Sequence, residues 1–348
     1  MEVDDRIHGI LNFSQLEFFC KRFNIEPKEL HANFDGWRKL ILYTEDKVFL
    51  FPRDPSGIFW LDMETTAYEL FNDYPNLPVP RFLEKVEDDK ISYFNFTVAS
   101  RLTGIPYSKL EDDVNFEMLS RMLTNLSSVF TLWHEIPIQK LPEKIKQRIE
   151  LFDENQYKWE IQLLNPDTMP EAIDYVHQKF IEYIEKYHKD LLKILNSHQT
   201  KNIWNQCLEE IVSLPHTLIH ADIHEDQILI ESKDNMRITG ILDWETVMCG
   251  NPVWEFNFFE WGLKIWNWWK YFTEIRRSMW KIYLEKRGIE LRTLEGLDLF
   301  YTLSEFLIIL KPEKSLRNLI GNDFSSSLKL CLEKVVKITE RIAFELKK

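Results

Sequence analysis

Two short apolar runs, Lys39–Tyr43 and Lys47–Phe51, are rich in residues that favour strands and are split by the turn residues Thr44-Glu45-Asp46, a pattern that predicts a hairpin. Residues 11–31 before them read as helix. After them "WLDMETTAYELFNDY" places Leu61, Ala67, Leu70 and Phe71 near one face of a second helix. Strand patterning returns in "NLPVPRFLEKVEDDKISYFNFTVAS", opened by two prolines and turned at "EDDK". The character changes near Thr103, where Gly104 and Pro106 mark a connector. Beyond it the spacing predicts helices over Phe116–His134, Glu143–Asn155, Pro170–Asn196 and Trp204–Leu214, and long helices from Phe256 to the end. Three strand-like runs interrupt them: Thr217–Ile219, Gln227–Ile230 and Arg237–Leu242. This is an α+β chain of two lobes, a β-rich one over residues 1–101 and a mainly helical one over 102–348.

Composition narrows the function classes. The chain has 348 residues, 45% of them apolar and 14% aromatic, enough for a sizeable core. Its net charge of −13 comes without a basic patch that could track phosphates, which argues against nucleic acid as partner and favours cationic small ligands. Cys20, Cys207, Cys249 and Cys331 are scattered without a C-x-x-C pair, so neither a metal nor a disulfide pattern follows, and the cytosol is the simplest compartment. The N-terminal stretch "MEVDDRIHGILNFSQ" lacks the features of a secretory signal. No run of 18 apolar residues suggests a membrane span; the nearest, "EFNFFEWGLKIWNWWKYF", is broken by Glu255, Glu260, Lys264 and Lys270.

The chemistry concentrates in "TLIHADIHEDQILIES" and in the third strand-like run with its C-terminal end, Arg237–Glu245. Asp222 falls on the loop leaving the first strand-like run, Gln227 opens the second, and Asp243 ends the third, so three oxygen-bearing side chains converge at one edge. Phosphoryl transfer needs such a set: one Asp to orient the attacking hydroxyl, and an oxygen ligand with a second Asp to hold Mg²⁺. Protein kinases carry it as H-R-D-x-x-x-x-N followed by D-F-G; here it reads His220-Ala221-Asp222, Gln227 and Asp243-Trp244-Glu245.

At these residues the chain resembles the aminoglycoside phosphotransferase and choline kinase family, whose signatures are H-G-D-x-x-x-x-N and I-D-W/F. The matching stretches are "LIHADIHEDQILI" and "GILDWETVMCGNPVWEF". In the first lobe "DGWRKLIL" is similar to the nucleotide-covering hairpin, "VFLFPRD" to the strand that normally carries a lysine, "DMETTAYELF" to the helix with its partner Glu, and "FTVASRLTGIP" to the hinge that bonds the nucleobase edge. The run of matches spans roughly residues 33–260 and is nearest the aminoglycoside 2″-phosphotransferases. The resemblance implies a two-lobed protein-kinase-like fold. It also implies transfer of the γ-phosphate of ATP or GTP to a hydroxyl of a small, cationic acceptor such as an aminoglycoside. Asp222 then matches the catalytic Asp, Gln227 and Asp243 the Mg²⁺ ligands, and Glu64, Thr97 and Ala99 the nucleotide-binding set. The helices between residues 140 and 215, with those after 255, are expected to form the acceptor pocket.

Leu50 stands where the family's lysine is expected. Nearby cations are Arg53, Lys47 and Lys39; Arg53 is assigned to the nucleotide site, on the condition that Pro52 bends the strand, since alternation alone puts it out of phase with Leu50. A protein that binds nucleotide without turnover is the alternative that Leu50 raises, and a purely helical interaction protein is a third reading. His220 is read as a support for the loop and Glu255 as a loop-ordering carboxylate. The tryptophans 254, 261, 266, 268 and 269 invite a cation cage, although Trp at helical spacing more often packs a core. The acidic runs at 87 and 110 read as solvated turns.

Overall fold

A computed structural model describes residues 5–113, 115–148, 162–187, 189–190, 197–256, 269–310 and 324–345. The chain forms two compact units: residues 1–149 with 217–250, and residues 150–216 with 251–348. The lobe boundary expected near residue 101 falls inside the first unit.

In the first unit α1 (Phe13–Phe23) starts at Asn12, whose side chain accepts from the Gln15 amide at 3.0 Å while Gln15 returns a bond to the Asn12 amide at 2.9 Å. It ends at Asn24, which takes the left-handed conformation (φ 52°). The helix read over 11–31 therefore stops early, and Pro27 opens a separate short turn at Pro27–Glu29. Strands β1 (His31–Asn33), β2 (Lys39–Tyr43), β3 (Lys47–Pro52), β4 (Phe82–Val86) and β5 (Phe96–Ser100) form an antiparallel sheet in the order β1-β2-β3-β5-β4. Register assigns its two faces. Leu42, Phe49, Phe51, Phe96 and Val98 pack with Phe19 of α1 in one aromatic-rich core, Phe19 meeting Phe49 at 4.7 Å and Phe51 stacking on Phe96 at 4.3 Å. The opposite face carries Lys39, Ile41, Leu50, Thr97 and Ala99, and against it lies α2 (Gly57–Phe71), tied by a 2.6 Å bond between the Thr65 and Thr97 hydroxyls.

Two glycines sit where no side chain fits. A Cβ on Gly57 would fall 2.5 Å from the Arg38 carbonyl oxygen, so α2 can approach β2 only with glycine there. Gly104 has φ +149°, and a Cβ would meet the Thr239 hydroxyl at 2.4 Å. It leads into β6 (Ile105–Pro106), which pairs with β8 (Ile228–Ile230), itself paired with β9 (Ile238–Ile241); β7 (Thr217–Ile219) pairs with β10 (Met248–Gly250). Behind these lies α3 (Phe116–His134), capped by Asn115 and burying Leu119, Met122, Leu126, Phe130 and Trp133 completely. Each such side chain contributes roughly 1.5–3 kcal/mol. Of the helix read over Glu143–Asn155 the structure shows α4 (Glu143–Lys146); residues 149–155 lie outside the described residues.

The second unit is helical: α5 (Met169–Tyr187), α6 (Ser197–Val212), α7 (Trp269–Arg287), α8 (Glu295–Leu310) and α9 (Phe324–Glu345). Polar tips of its large aromatics are satisfied inside, with Trp204 Nε1 donating to Thr339 Oγ1 and Trp280 Nε1 to the Tyr301 hydroxyl, both at 3.0 Å. Trp254 is buried in this unit; 261, 266 and 268 of the tryptophan cluster lie outside the described residues. Among the described residues no helix is long and apolar enough to cross a membrane.

Candidate functional site

Closing the β8–β9 hairpin puts the residue that precedes one strand beside the residue that follows the other. The Leu242 amide donates to the Gln227 carbonyl at 2.9 Å, and the Gln227 side-chain amide donates to Asp243 Oδ2 at 3.4 Å. The loop after β7 is fastened to the same place: His220 Nε2 donates to the Leu242 carbonyl at 2.8 Å, and the Thr246 hydroxyl donates to the His220 carbonyl at 2.7 Å. His220 is fully buried with its ring 4.6 Å from that of Trp244, which rests on Phe71 of α2 and Trp133 of α3 at 4.6 and 5.1 Å. His220 thus supports the loop, and the apolar plug at Trp244 seats the turn carrying Asp243 and Glu245 against α2.

Asp222 and Asp243 are both set by left-handed backbone: Ala221 has φ +68° and Asp243 φ +65°. An Asp tolerates that region; an alanine is strained by roughly 1–2 kcal/mol, and it stands where the resembled family has glycine. Ala221→Gly is expected to raise stability by about 0.5–1 kcal/mol, because greater freedom of the unfolded chain returns part of the gain. Urea unfolding checks it; a variant less stable than the parent would mean the strain is relieved elsewhere.

Burial pushes the Asp222 carboxyl up to about 6; the charge of His224 opposes the shift, the carboxylates of Asp243 and Glu245 add to it, and Arg38 opposes it. The Gln227 side-chain oxygen accepts from the His224 amide at 3.0 Å, closing a short turn at Glu225–Gln227.

The cation of the site is Lys39. Its Nζ lies 2.5 Å from Glu64 Oε2 and 3.1 Å from Glu245 Oε2, and pairs with Asp243 Oδ1. Cross-strand register explains why. Leu50 faces Ile41, and Lys39 is two residues along β2 from Ile41, so it shares the sheet face on which a lysine at 50 would stand. Burial alone would push the Lys39 ammonium down; the carboxylates of Asp243, Glu64 and Glu245 outweigh it and hold it above its ordinary value. Conversely, burial would raise Asp243, and Lys39 holds it below the usual carboxylate range. Glu64 also accepts from the Tyr68 hydroxyl at 2.6 Å.

The other residues assigned from the sequence to a nucleotide site lie elsewhere. Arg53 donates to the carbonyls of Phe34 and Gly36 at 2.6 and 2.8 Å, bracing the β1–β2 turn, and does not join Glu64 and Asp243. Thr97 and Ala99 are inside β5, whose ladders to β3 and β4 engage its backbone on both sides, so that backbone offers no hinge-like edge to a base. Sequence reasoning missed Glu245 and Arg38: Arg38 Nη1 donates to Glu245 Oε1 at 2.6 Å, and Arg148 donates to the Glu245 carbonyl. Ligand atoms of Glu64, Asp243 and Glu245 lie within 4.8 Å of one another. Their carboxylate oxygens are hard donors of the kind that Mg²⁺ takes.

A profile of the phosphotransferase enzyme family (APH) matches residues 61–297. The chain belongs to that family. The match takes in Glu64, Asp222, Gln227 and Asp243 and begins after Arg38 and Lys39, so the cationic strand lies outside it. Solved structures of similar fold include aminoglycoside phosphotransferase APH(2'')-Ib with ADP, at TM-score 0.52 and 13% identity over 94% of this chain and 99% of that one. The wild-type aminoglycoside 2'-phosphotransferase-IIIa GDP complex matches at 0.51 and 13% over 97% and 99%. The streptomycin–ATP complex of APH(2'')-IIa matches at 0.50 and 15% over 93% and 98%. At such identities the likeness is one of fold, the two-lobed α+β fold of these kinases. No curated protein matches the chain.

Proposed function

We propose that the protein is a small-molecule kinase that moves the γ-phosphoryl group of ATP or GTP to a hydroxyl of a small cationic acceptor, an aminoglycoside being the class suggested by family and charge. The observation that carries this is the meeting, in one compact unit, of Asp222, Gln227 and Asp243 with the Lys39–Glu64 pair. Asp222 orients the acceptor hydroxyl and takes its proton as the new O–P bond forms; the bond from the γ-phosphorus to the β–γ bridging oxygen breaks, and the nucleoside diphosphate leaves with that electron pair. Lys39, fixed by Glu64, holds the phosphates. Asp243 would hold Mg²⁺, and the Gln227 oxygen, which here accepts from the His224 amide, would have to turn to join it; the ion would neutralise charge on the phosphates. The net charge of −13 suits a polycationic acceptor, and the streptomycin–ATP complex of a protein of this fold points the same way.

Lys39 also bears on the alternative of nucleotide binding without turnover, since it supplies the cation that Leu50 does not. Heating the protein with each nucleotide and with or without Mg²⁺ tests the donor site: at 100 times its dissociation constant a nucleotide adds roughly 2.7 kcal/mol of stability. The gain is expected to require Mg²⁺ and to vanish in Asp243→Ala. An aminoglycoside panel with both nucleotides, read by the mass gain of one phosphoryl group, then tests transfer. Mg²⁺-dependent stabilisation with no phosphorylated product from any acceptor favours the binding-only alternative; no response to either nucleotide removes both.

A further inference from the structure

We propose that Arg38 is a second phosphate-binding cation, one that contacts the terminal phosphoryl group of the nucleotide and so distinguishes a nucleoside triphosphate from a diphosphate. This rests on the kinase reading above and gives a role to a residue that lies before the family match and that the sequence reading left without one.

Arg38 and Lys39 are neighbours in sequence but are held differently. The Lys39 ammonium is ringed by Glu64, Asp243 and Glu245 with its side chain 8% exposed. Arg38 is 39% exposed, and among the described residues its guanidinium makes one ion pair, the 2.6 Å bond to Glu245 Oε1. Two cations therefore grip opposite oxygens of one carboxylate, and Lys39 simultaneously holds Asp243. A guanidinium has five N–H donors in a planar fork, so a single carboxylate contact leaves most of them for another oxyanion.

The surroundings fix where that fork can go. The Arg38 carbonyl accepts from the Arg53 amide at 2.8 Å and is closely approached by Gly57, which anchors the backbone. The guanidinium lies 3.8 Å from the ring centre of Trp60 on α2, a flat plate across which it can slide without losing the cation–π contact. The plate is fixed in turn, because the buried Arg148 sits 4.7 Å over the same indole while donating to the carbonyls of Glu245 and Val247. Glu245 is thus placed from behind by Arg148, and Arg38 is the most exposed of the three cations around it, Arg148 and Lys39 being buried. Glu245, which Arg38 holds, shares Lys39 with Asp243, and this puts the guanidinium beside the carboxylates of the candidate site. A terminal phosphate offers two or three anionic oxygens to such a fork; a diphosphate ends one phosphorus short of it.

Equilibrium titrations of the full chain with Mg²⁺ and ADP, GDP and their non-hydrolysable imidotriphosphate counterparts read this directly, whether or not turnover occurs. Arg38→Ala is expected to weaken the triphosphate analogue about 10-fold or more, the worth of a charge-assisted hydrogen-bond pair, while the diphosphate changes less than about 2-fold. Arg38→Lys keeps a charge opposite Glu245 but loses the fork and the stacking. It is expected to show the same split at smaller amplitude, and it carries the test if the alanine variant does not fold. A purely structural clamp on Glu245 would instead weaken both nucleotide classes alike; equal losses, or none, overturn the proposal. If the parent protein binds neither class with Mg²⁺, the kinase reading itself falls, an outcome distinct from a parent that binds both and an Arg38 variant that does not discriminate.

Discussion

Lys39→Met is expected to destabilise the protein by about 3–5 kcal/mol and to abolish Mg²⁺-dependent nucleotide binding. Methionine matches the lysine stem in length, so packing is largely kept and charge is what changes. The loss leaves Glu64, Asp243 and Glu245 facing one another, with Arg38 and Arg148 both beside Glu245, and removing one partner of a buried ion pair typically costs about 3–5 kcal/mol. Against a typical total of about 5–15 kcal/mol that is a large share. The pH dependence has a defined sign. In the parent, Asp243 is held below its ordinary value by Lys39, so the pairing stabilises the fold above the carboxylate's unfolded pKa and is lost as pH falls through its depressed folded value. In the variant the crowded carboxylates hold protons more tightly than in the unfolded chain, so the variant gains stability as pH falls toward 4. The gap between the two proteins should therefore narrow from pH 7 to pH 4 in urea titrations. A second arm uses the register: a lysine placed at Leu50 in the Lys39→Met background stands on the same sheet face and is expected to restore part of the nucleotide binding. Unchanged stability and binding in Lys39→Met would show that the ion cluster is ornamental.

Lys39 also marks the boundary of what the sequence could reveal. The strands 39–43 and 47–52, the helix 116–134 and the hairpin carrying Asp222, Gln227 and Asp243 follow from local pattern, because period, turn residues and motif spacing are all properties of short windows. The two-lobed α+β organisation followed from the order of those windows, and its kinase-like character from the family resemblance. Lys39 was legible only in part: alternation within β3 cannot find it, whereas pairing β2 to β3 across the Thr44–Asp46 turn would have put it beside Leu50's face. The end of α1 at Asn24 was hidden because the spacing of apolar residues runs on past a residue whose left-handed conformation stops the helix. The network of Arg38, Trp60, Arg148 and Glu245 was not legible, although Arg38 and Glu245 fall inside matched stretches. The Arg38–Glu245 bond joins residues 207 apart, and each one singly reads as an ordinary surface charge or core aromatic. Nor does the strained backbone at Ala221 show in composition; there the resembled family's glycine was the available signal.

Asp222→Asn is expected to stabilise the folded protein while removing phosphoryl transfer. Two opposite effects of one change follow from the same burial. Because the folded carboxyl is pushed up to about 6 from its ordinary 3.8, the folded protein binds its proton more tightly than the unfolded chain does. Its contribution to stability is greatest below the unfolded value and is lost as pH rises through the folded value, so above pH 7 the ionised carboxylate is a net burden. Two pKa units correspond to about 3 kcal/mol; Asp222 is only half-buried, and solvent screening reduces the expected gain to about 1–2 kcal/mol. Neutral asparagine keeps the shape and sheds that burden, so the variant should melt higher than the parent at pH 7.5 and match it near pH 4. Transfer should fall about 10²–10⁴-fold, the usual worth of a positioned base, with nucleotide binding retained because Lys39 and Asp243 are untouched. In the parent the rate should drop on the acid side as Asp222 gains a proton, with a midpoint at or below about pH 6, since a bound divalent cation favours the ionised form. Asparagine that transfers phosphate at the parental rate would remove Asp222 from the chemistry, and asparagine that unfolds more easily at pH 7.5 would show that the carboxylate is held by the fold rather than strained by it.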